Sequence, residues 1–345
     1  MKAMVLAATA PIETNPLALQ ETATPQPQTG QIRVQVTACG VCHTELDEIE
    51  GRLAAKLPVI PGHEVVGRVD ALGPETSRFK PGDRVGIAWI FSACDRCRFC
   101  RGGNENLCAE FRGTGCDADG GYAEYMVVPE ESAYPIPAAF SDVQAAPLLC
   151  AGVVGYRALR LTGLRDGQTL GFFGFGASAH ILVQVARHKF PNATICVFTR
   201  PGQIEHQKLA LQLGADWAGA TGEEPPLPLN AAIDTTPAWT PVVEAMRVLE
   251  RGGRLVINAI RKEAIDQQAL LKLDYPTHLW LEKEIKTVAN VTRADAREFL
   301  PLAAEVPIRP HVQEFALEQA NEALQLVKQG KTQGAAVLRI ADSGL

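Results

Sequence analysis

Three residues far apart in the sequence offer side chains that bind transition metals. Cys42 lies in GVCHTEL (residues 40–46), His63 lies in PGHEVVG (residues 61–67), and Cys150 follows much later. Structural zinc sites use four protein ligands, whereas catalytic sites use three and leave one position open. The set Cys42, His63 and Cys150 therefore predicts a catalytic zinc ion, which would act as a Lewis acid on a substrate oxygen.

A second group of cysteines is closely spaced and could enclose a metal completely. Four thiolates on one short loop are what a closed tetrahedral zinc site needs, and they also suit an iron–sulfur cluster. The four residues are Cys94, Cys97, Cys100 and Cys108. The spacing predicts a structural metal site within residues 94–108.

A glycine-containing turn follows an apolar segment in the second half of the chain. Residues 170–173 are apolar and predict a strand, and the residues after position 180 have helical spacing of apolar side chains. Between them, Gly174, Gly176 and Ala179 form a GxGxxA pattern. Such a turn lets backbone amides approach a pyrophosphate at a helix N-terminus, so we expect a dinucleotide coenzyme here.

The end of the next predicted strand bears on the choice of coenzyme. An acidic residue at this position would bind the ribose hydroxyls of NAD, but the chain has Thr199 and Arg200. A cation and a hydroxyl suit a 2′-phosphate and favour NADP. Alternatively, Arg200 stacks on the adenine or faces solvent, and NAD is used.

Length and composition place these motifs in an ordinary globular protein of two domains. The chain has 345 residues, 46% of them hydrophobic and 21% charged, with a net charge of −6 that argues against nucleic-acid binding. We find no signal peptide or membrane span and expect a cytoplasmic location without membrane partners. Nine cysteines without an export signal indicate metal or thiol chemistry rather than disulfides. Cys39, Cys116 and Cys196 are left without a predicted task.

The order of predicted elements indicates an α/β protein with two different domains. Residues 1–150 read as short strands separated by Pro and Gly, whereas residues 151–289 alternate strands and helices, as in a doubly wound Rossmann sheet. Residues 290–345 contain the segment RADAREFLPLAAE (residues 293–305), an amphipathic helix in EQANEALQLVKQG (residues 318–330) and a last strand in AAVLRI (residues 335–340).

The segments GVCHTEL and GHEVVGRVDALG, with the four-cysteine segment, resemble the zinc-dependent alcohol dehydrogenases of the medium-chain dehydrogenase/reductase superfamily. The resemblance covers nearly the whole chain. It implies a GroES-like catalytic domain formed by residues 1–150 and 290–345, and a Rossmann coenzyme domain formed by residues 151–289. It also implies two zinc ions per chain, catalytic and structural, and a homodimer or homotetramer.

The resemblance further implies roles for five residues around the catalytic zinc. Thr44 would begin a proton relay, and Asp47 stands at the next relay position, where relatives often have His. Glu45 corresponds to a carboxylate that orients the zinc-bound His, and Glu64 to a carboxylate that can approach the zinc. His43 would contact the coenzyme pyrophosphate.

Two further positions leave alternatives open. Trp89 resembles an aromatic residue of the substrate pocket in microbial relatives, but it is equally expected as core. The family's GR pair before the last strand is absent, since the chain reads Gly334 and Ala335. Coenzyme phosphate binding would then be weaker or supplied by other residues.

Together these features predict a zinc-dependent NAD(P) alcohol dehydrogenase or aldehyde reductase acting on a small primary alcohol or aldehyde. The alternatives are a cinnamyl-type aldehyde reductase using NADPH and, from a different class, a non-catalytic coenzyme-binding protein of the same superfamily. A non-catalytic member should have lost a ligand or the relay hydroxyl. Both are intact here, with Cys42, Thr44, His63, Glu64 and Cys150 all in place.

Overall fold

The computed structural model describes residues 1–306, 308–332 and 334–341. The strands of this part of the chain are β1 (Lys2–Leu6), β2 (Leu17–Glu21), β3 (Gln31–Val41), β4 (Val65–Leu72), β5 (Arg84–Ile87), β6 (Ile90–Ser92), β7 (Arg112–Gly113), β8 (Tyr125–Pro129), β9 (Ala133–Pro135), β10 (Thr169–Phe173), β11 (Thr194–Thr199), β12 (Trp217–Ala220), β13 (Leu229–Asp234), β14 (Leu249–Ile257), β15 (Glu284–Thr287), β16 (Val312–Ala316) and β17 (Ala335–Arg339).

The α-helices are α1 (His43–Ile49), α2 (Arg98–Arg101), α3 (Asp142–Ala145), α4 (Ala151–Thr162), α5 (Ala177–Lys189), α6 (Ile204–Gln212), α7 (Thr240–Val248), α8 (Arg293–Glu305) and α9 (Ala320–Gln329). Short 3-10 turns and one π-helical turn connect them, and they are Ile12–Thr14, Glu105–Leu107, Glu130–Ser132, Ala146–Leu149, Gln267–Lys272, Tyr275–Leu279 and Leu317–Gln319.

The chain divides into two compact units. The first comprises Met1–Val153 and Val291–Leu345, and the second comprises Val154–Asn290. Within the described residues, none of the helices has the length and apolar character that a membrane crossing requires.

The first unit is built on a seven-stranded sheet in which β3 is central. Six strands follow the order β16-β17-β3-β4-β5-β9, and β8 also pairs with β3. Ile32, Val34 and Val36 of β3 are fully buried and alternate with more exposed residues, as their period-2 pattern predicts. The C-terminal strand β17 runs antiparallel beside β3, with Ala336 opposite Val41. The end of β3, which leads to Cys42, is therefore held on both sides by sheet pairing.

The second unit is a six-stranded parallel sheet. Its strands follow the order β12-β11-β10-β13-β14-β15, so the first strand of the unit lies in the middle and the order reverses beside it. This is the doubly wound Rossmann order, and ligands bind at the carboxyl ends of the strands where the order reverses. Every residue of β10 is buried, which explains its continuous apolar sequence. The predicted α/β class with a β-rich part and a Rossmann sheet is confirmed.

Candidate active site

Helix α1 places the first predicted metal ligand at the end of β3. Cys42 is the N-cap of α1, and its Sγ accepts a hydrogen bond from the Thr44 backbone N–H at 3.3 Å. Glu45 completes a capping box, because its Oε2 accepts the Cys42 N–H at 3.0 Å. Thr44 and Glu45 therefore start the helix and also fix the direction of the Cys42 thiol.

Four potential metal ligands converge beyond this cap. One donor atom each from Cys42, His63, Glu64 and Cys150 lies within 4.8 Å of the others. The Cys42 Sγ and His63 Nε2 atoms are 3.7 Å apart. Ligands bound tetrahedrally at about 2.0–2.3 Å from a zinc ion are separated by about 3.3–3.8 Å, so this donor set fits zinc. The structure thus brings together the three ligands predicted from their donor chemistry and Glu64, the carboxylate that the resemblance placed near the zinc.

The position of Glu64 depends on Gly40. A Cβ atom at residue 40 would overlap the Glu64 carboxylate, so a glycine is needed on β3 for this side chain to reach the cluster. The Gly40 N–H also donates to the Glu64 carbonyl oxygen at 2.9 Å. Burial raises the pKa of Glu64 to about 8, with a further contribution from the nearby charge of Glu45.

Glu45 contacts the His63 imidazole at Nδ1, whereas the other ring nitrogen, Nε2, faces Cys42. Glu45 Oε1 lies 2.5 Å from His63 Nδ1, and both side chains are almost completely buried. Burial by itself raises the pKa of Glu45, but the charge of His63 and its hydrogen bond lower it overall. Because Nδ1 is bound to Glu45, Nε2 is the ring atom available to a metal.

The second cysteine group forms a separate cluster between β6 and β7. The Cys97 and Cys100 sulfur atoms are 3.5 Å apart, and those of Cys94 and Cys100 are 3.8 Å apart. All four donor atoms, including that of Cys108, lie within 4.8 Å of one another. Backbone N–H groups of Arg96 and Cys97 lower the pKa of the Cys94 thiol to about 6, which favours the thiolate that binds metals.

The predicted glycine turn lies between β10 and α5. Gly174 has φ = +87°, and a Cβ atom there would lie 2.7 Å from Thr236 Cγ2. A Cβ atom at Gly176 would meet no described atom within 4 Å, although this residue is the N-cap of α5 and has no side-chain cap. Ala179 is fully buried and lets α5 pack on the sheet. The turn therefore has the features of a pyrophosphate-binding turn: a first glycine with positive φ, an open second position and a small third residue.

Thr199 and Arg200 differ in their availability. Thr199 is buried, and its Oγ1 accepts a hydrogen bond from Gln207 Nε2 at 3.0 Å and donates to the Arg200 carbonyl oxygen. Arg200 is exposed at the carboxyl end of β11. Of the two residues, only Arg200 presents its polar group to solvent, so the hydroxyl of the predicted pair is already used within the protein.

Comparison with known proteins agrees with this arrangement. Residues 28–138 match the family described as the alcohol dehydrogenase GroES-like domain. A curated relative from Mycobacterium tuberculosis, named "Probable alcohol dehydrogenase AdhA", is 46% identical over 336 residues, which cover 96% of this chain and 94% of the relative. The chain belongs to the zinc-dependent alcohol dehydrogenases of the medium-chain dehydrogenase/reductase superfamily. The resemblance stated from the motifs is confirmed.

Two further similarities extend over almost the whole dehydrogenase. An alcohol dehydrogenase of Geobacillus stearothermophilus is 34% identical over 336 residues, covering 94% of this chain and 96% of the relative. The crystal structure of the alcohol dehydrogenase of the archaeon Aeropyrum pernix superposes with a TM-score of 0.84 at 26% identity, covering 98% of this chain and all of that one. Both the family and the two-part fold are therefore shared along the full length.

Trp89 lies directly against the His63 imidazole of this dehydrogenase. Its ring packs edge-on against the His63 imidazole, with ring centroids 5.0 Å apart and an interplanar angle of 89°. The residue is 9% exposed. Trp89 is therefore part of the core and a neighbour of His63, and its place in a substrate pocket stays a prediction.

The three remaining predicted residues of α1 have different surroundings. Thr44 is buried at 7% exposure, whereas His43 is exposed. Asp47 is buried, and its Oδ1 accepts a hydrogen bond from Arg52 Nε at 2.6 Å. The Asp47 carboxylate is therefore held in an ion pair with Arg52, and the proton transfer that the resemblance implied for it stays a prediction.

Glu48 is a further buried acid of α1, and its sequence context did not lead us to predict it. Glu48 is 1% exposed, and neither carboxylate oxygen has a hydrogen-bond partner in the described part of the chain, although the Cys116 thiol is close. Burial raises the pKa of Glu48 well above its usual range, and the charge of Glu45 adds to this effect. Helical spacing could have indicated this burial. Glu48 lies three residues after Glu45, and its apolar neighbours Leu46 and Ile49 are buried on the same short helix.

Proposed function

We propose that this dehydrogenase interconverts small primary alcohols and aldehydes, with preference for NADP(H) over NAD(H). The observation that supports it best is the buried cluster of Cys42, His63, Glu64 and Cys150, with Glu45 bound to the far side of the imidazole. Two thiolates and an imidazole suit a zinc ion used for catalysis. In this proposal, residues of the first unit supply the catalytic site and the second unit supplies the coenzyme site.

The protein's own residues prepare the site in three ways. A zinc ion held by these ligands would supply a Lewis acid for the substrate oxygen, and NAD(P) would supply the hydride acceptor or donor. Cys42 and Cys150 contribute negative charge, and Glu45 keeps the His63 Nε2 atom directed at the cluster. Thr44 is buried and lies close to Cys42 in the sequence. Its Oγ1 would accept the proton from the hydroxyl group of the alcohol substrate, or return it in the reverse reaction.

The NADP preference is supported by charge at the end of β11. Arg200 is exposed there, and no acidic residue occupies the position that would bind the ribose hydroxyls of NAD. A guanidinium group binds phosphate with several hydrogen bonds, so it suits the 2′-phosphate of NADP. The Gly174–Gly176 turn would receive the pyrophosphate, and the exposed His43 would contribute from α1 as the family resemblance implies.

A structural zinc ion is proposed for the four-cysteine cluster. Its four sulfur donors leave no position for a substrate, and the spacing of the sulfur atoms fits zinc. The cluster is also tied to α8, because Arg293 Nη1 donates to Asp95 Oδ1 at 2.6 Å and the Arg293 backbone N–H donates to Glu105 Oε1 at 2.7 Å. A metal here would therefore fix the loop that contacts the start of α8.

A homo-oligomer, dimer or tetramer, is proposed from the edge of the parallel sheet. The last strand in the sheet order, β15, pairs with β14, and all four of its residues are exposed. Large exposed apolar side chains occur in the same region of sequence, including Ile265, Leu271 and Trp280. An exposed strand edge with apolar neighbours is suited to pairing with a second copy of the chain.

The deciding experiment measures nicotinamide absorbance with the purified zinc-loaded enzyme and a panel of aliphatic and aromatic aldehydes. NADH and NADPH are offered separately. We expect NADPH oxidation that a chelator stops and that Cys42→Ala abolishes while leaving the fold intact. A clear NADH preference would overturn the role of Arg200, and full activity of Cys42→Ala would overturn the catalytic zinc site. No turnover with either coenzyme would favour the non-catalytic alternative.

A further inference from the structure

A buried ion pair joins two loops at the carboxyl edge of the parallel sheet. Asp234 is the last residue of β13, and Lys262 follows the end of β14. Their side chains are in direct contact and are 0% and 10% exposed. Removing one partner of such a pair would leave an uncompensated charge in the interior.

Lys262 does more than neutralise Asp234. Its Nζ also donates to the Thr236 and Ala238 carbonyl oxygens, each at 2.8 Å. Asp234 Oδ1 accepts the Thr236 N–H at 3.0 Å and the Thr236 hydroxyl at 2.8 Å. All three donors of the ammonium group are therefore used to close the loop of residues 235–238 around it.

This loop supports the coenzyme turn directly. Thr235 donates from its N–H and its hydroxyl to the Phe173 carbonyl oxygen, at 2.9 and 3.2 Å. A Cβ atom at Gly174 would lie 2.8 Å from Thr235 Oγ1 and 2.7 Å from Thr236 Cγ2. The two threonines thus fill the space beside the first glycine of the turn. β10 and β13 are neighbours at the point where the strand order reverses.

We infer that Lys262 and Asp234 are positioning residues for the coenzyme, acting through the 235–238 loop on the Gly174–Gly176 turn. The inference rests on the proposed coenzyme site. Neither residue needs to touch the coenzyme, because a turn displaced by about 1 Å loses much of its binding or catalytic geometry. No element of the metal cluster takes part, so the effect should be confined to coenzyme binding.

The test compares three variants by titrating NADPH and NADH into each protein and following nicotinamide fluorescence. Lys262→Met keeps the apolar stem and removes the three donors. The double variant Lys262→Met with Asp234→Asn also removes the buried unpaired charge. Lys208→Met is the control, since Lys208 is an exposed lysine of the same unit that pairs with Glu205 at 2.8 Å. Thermal unfolding and zinc content are measured in parallel.

We expect Lys262→Met to weaken coenzyme binding at least tenfold and to lower thermal stability. The double variant should recover much of the stability, because no buried charge is left unpaired, while its coenzyme Kd stays weak, because the Thr236 and Ala238 carbonyls still lack their donor. The KM for aldehyde at saturating coenzyme and the zinc content should match the wild type and Lys208→Met.

Two results would contradict the inference. One is a folded double variant whose coenzyme Kd is within twofold of the wild type. The other is a double variant whose Kd recovers in parallel with its stability, which would show a structural pair without a positioning role. Failure of the wild-type enzyme itself to bind either coenzyme would refute the proposed function and, with it, this inference.

Discussion

Glu45 Oε1 lies 2.5 Å from His63 Nδ1, and the same carboxylate accepts the Cys42 N–H through its other oxygen. One buried side chain therefore orients two of the proposed metal ligands at once. It directs the imidazole through its ring nitrogen and the thiol through the cap of α1. Outer carboxylates of this kind fix the tautomer of a ligating histidine and strengthen it as a ligand.

We expect Glu45→Ala to weaken zinc binding at the catalytic site by about 10- to 100-fold, because His63 loses the partner that fixes its ring. Competition with a chromogenic chelator measures the affinity. Glu205→Ala is the control, since Glu205 is 85% exposed and lies on α6 of the other unit. An unchanged zinc affinity in Glu45→Ala would show that packing alone orients His63.

Cys100→Ala should reduce the zinc content from two ions per chain to one. Three thiolates bind zinc less tightly than four, and the loop that contacts Arg293 would lose its internal tether. Elemental analysis gives the stoichiometry, and thermal unfolding should show a lower midpoint. Cys116→Ala, outside both clusters, should retain the wild-type metal content. Two zinc ions in Cys100→Ala would contradict a separate metal at this cluster.

Two alanine substitutions in the glycine turn should affect different properties, one the stability of the protein and the other its affinity for the coenzyme. Gly174→Ala should destabilise the protein, because φ is +87° and the new methyl would clash with Thr235 and Thr236. Gly176→Ala meets no described atom within 4 Å, so stability should be retained while coenzyme binding weakens. Thermal unfolding midpoints measure the change in stability, and fluorescence titrations measure the change in coenzyme affinity. Wild-type coenzyme affinity in Gly176→Ala would remove this residue from the phosphate site.

Arg200→Gln should weaken NADPH binding at least tenfold and change NADH binding little. The reason is that the guanidinium group is proposed to contact the 2′-phosphate, which only NADPH carries. Fluorescence titration with each coenzyme gives the ratio of the Kd for NADH to the Kd for NADPH, which is compared between the variant and the wild type. An equal loss for both coenzymes would instead place Arg200 against the adenine.

Glu50 provides a pH-dependent contribution to stability. Burial by itself raises its pKa, but hydrogen bonds from Lys328 and Arg52 outweigh that effect and lower the pKa from 4.5 to about 2. A carboxyl group with a lowered pKa stabilises the fold above its unfolded value, and this contribution is lost as the pH falls from about 4.5 towards 2. Because Arg52 and Lys328 are about one-third exposed, solvent screening reduces the contribution of this shift to the free energy of unfolding to on the order of 1 kcal/mol.

Glu50→Gln should therefore be less stable than the wild type near pH 6, with the difference shrinking as the pH approaches 2. Denaturant titrations of both proteins at several pH values measure it. Zinc loss in acid affects both proteins, so the difference between them isolates Glu50. A difference that does not change with pH would mean that the ion pairs with Lys328 and Arg52 contribute nothing.

Much of the fold and the ligand types could be predicted from the sequence, because these signals are local. The alternation of Ile32, Val34 and Val36 predicts a half-buried strand, and the GxGxxA pattern after an apolar segment predicts a strand, a turn and a helix. Two thiols and an imidazole already indicate zinc by their donor chemistry. In these cases the residue type itself carries the physical property.

Only the tertiary structure decided how distant residues meet. Gly40 makes room for Glu64, and Lys262 binds Asp234. Strand register and loop packing fix each of these contacts, and neither follows from residue type or from spacing along the chain. The sequence by itself determined the chemistry available to this dehydrogenase. The fold decided which carboxylates lie beside Cys42, His63 and Cys150 and which are held in ion pairs.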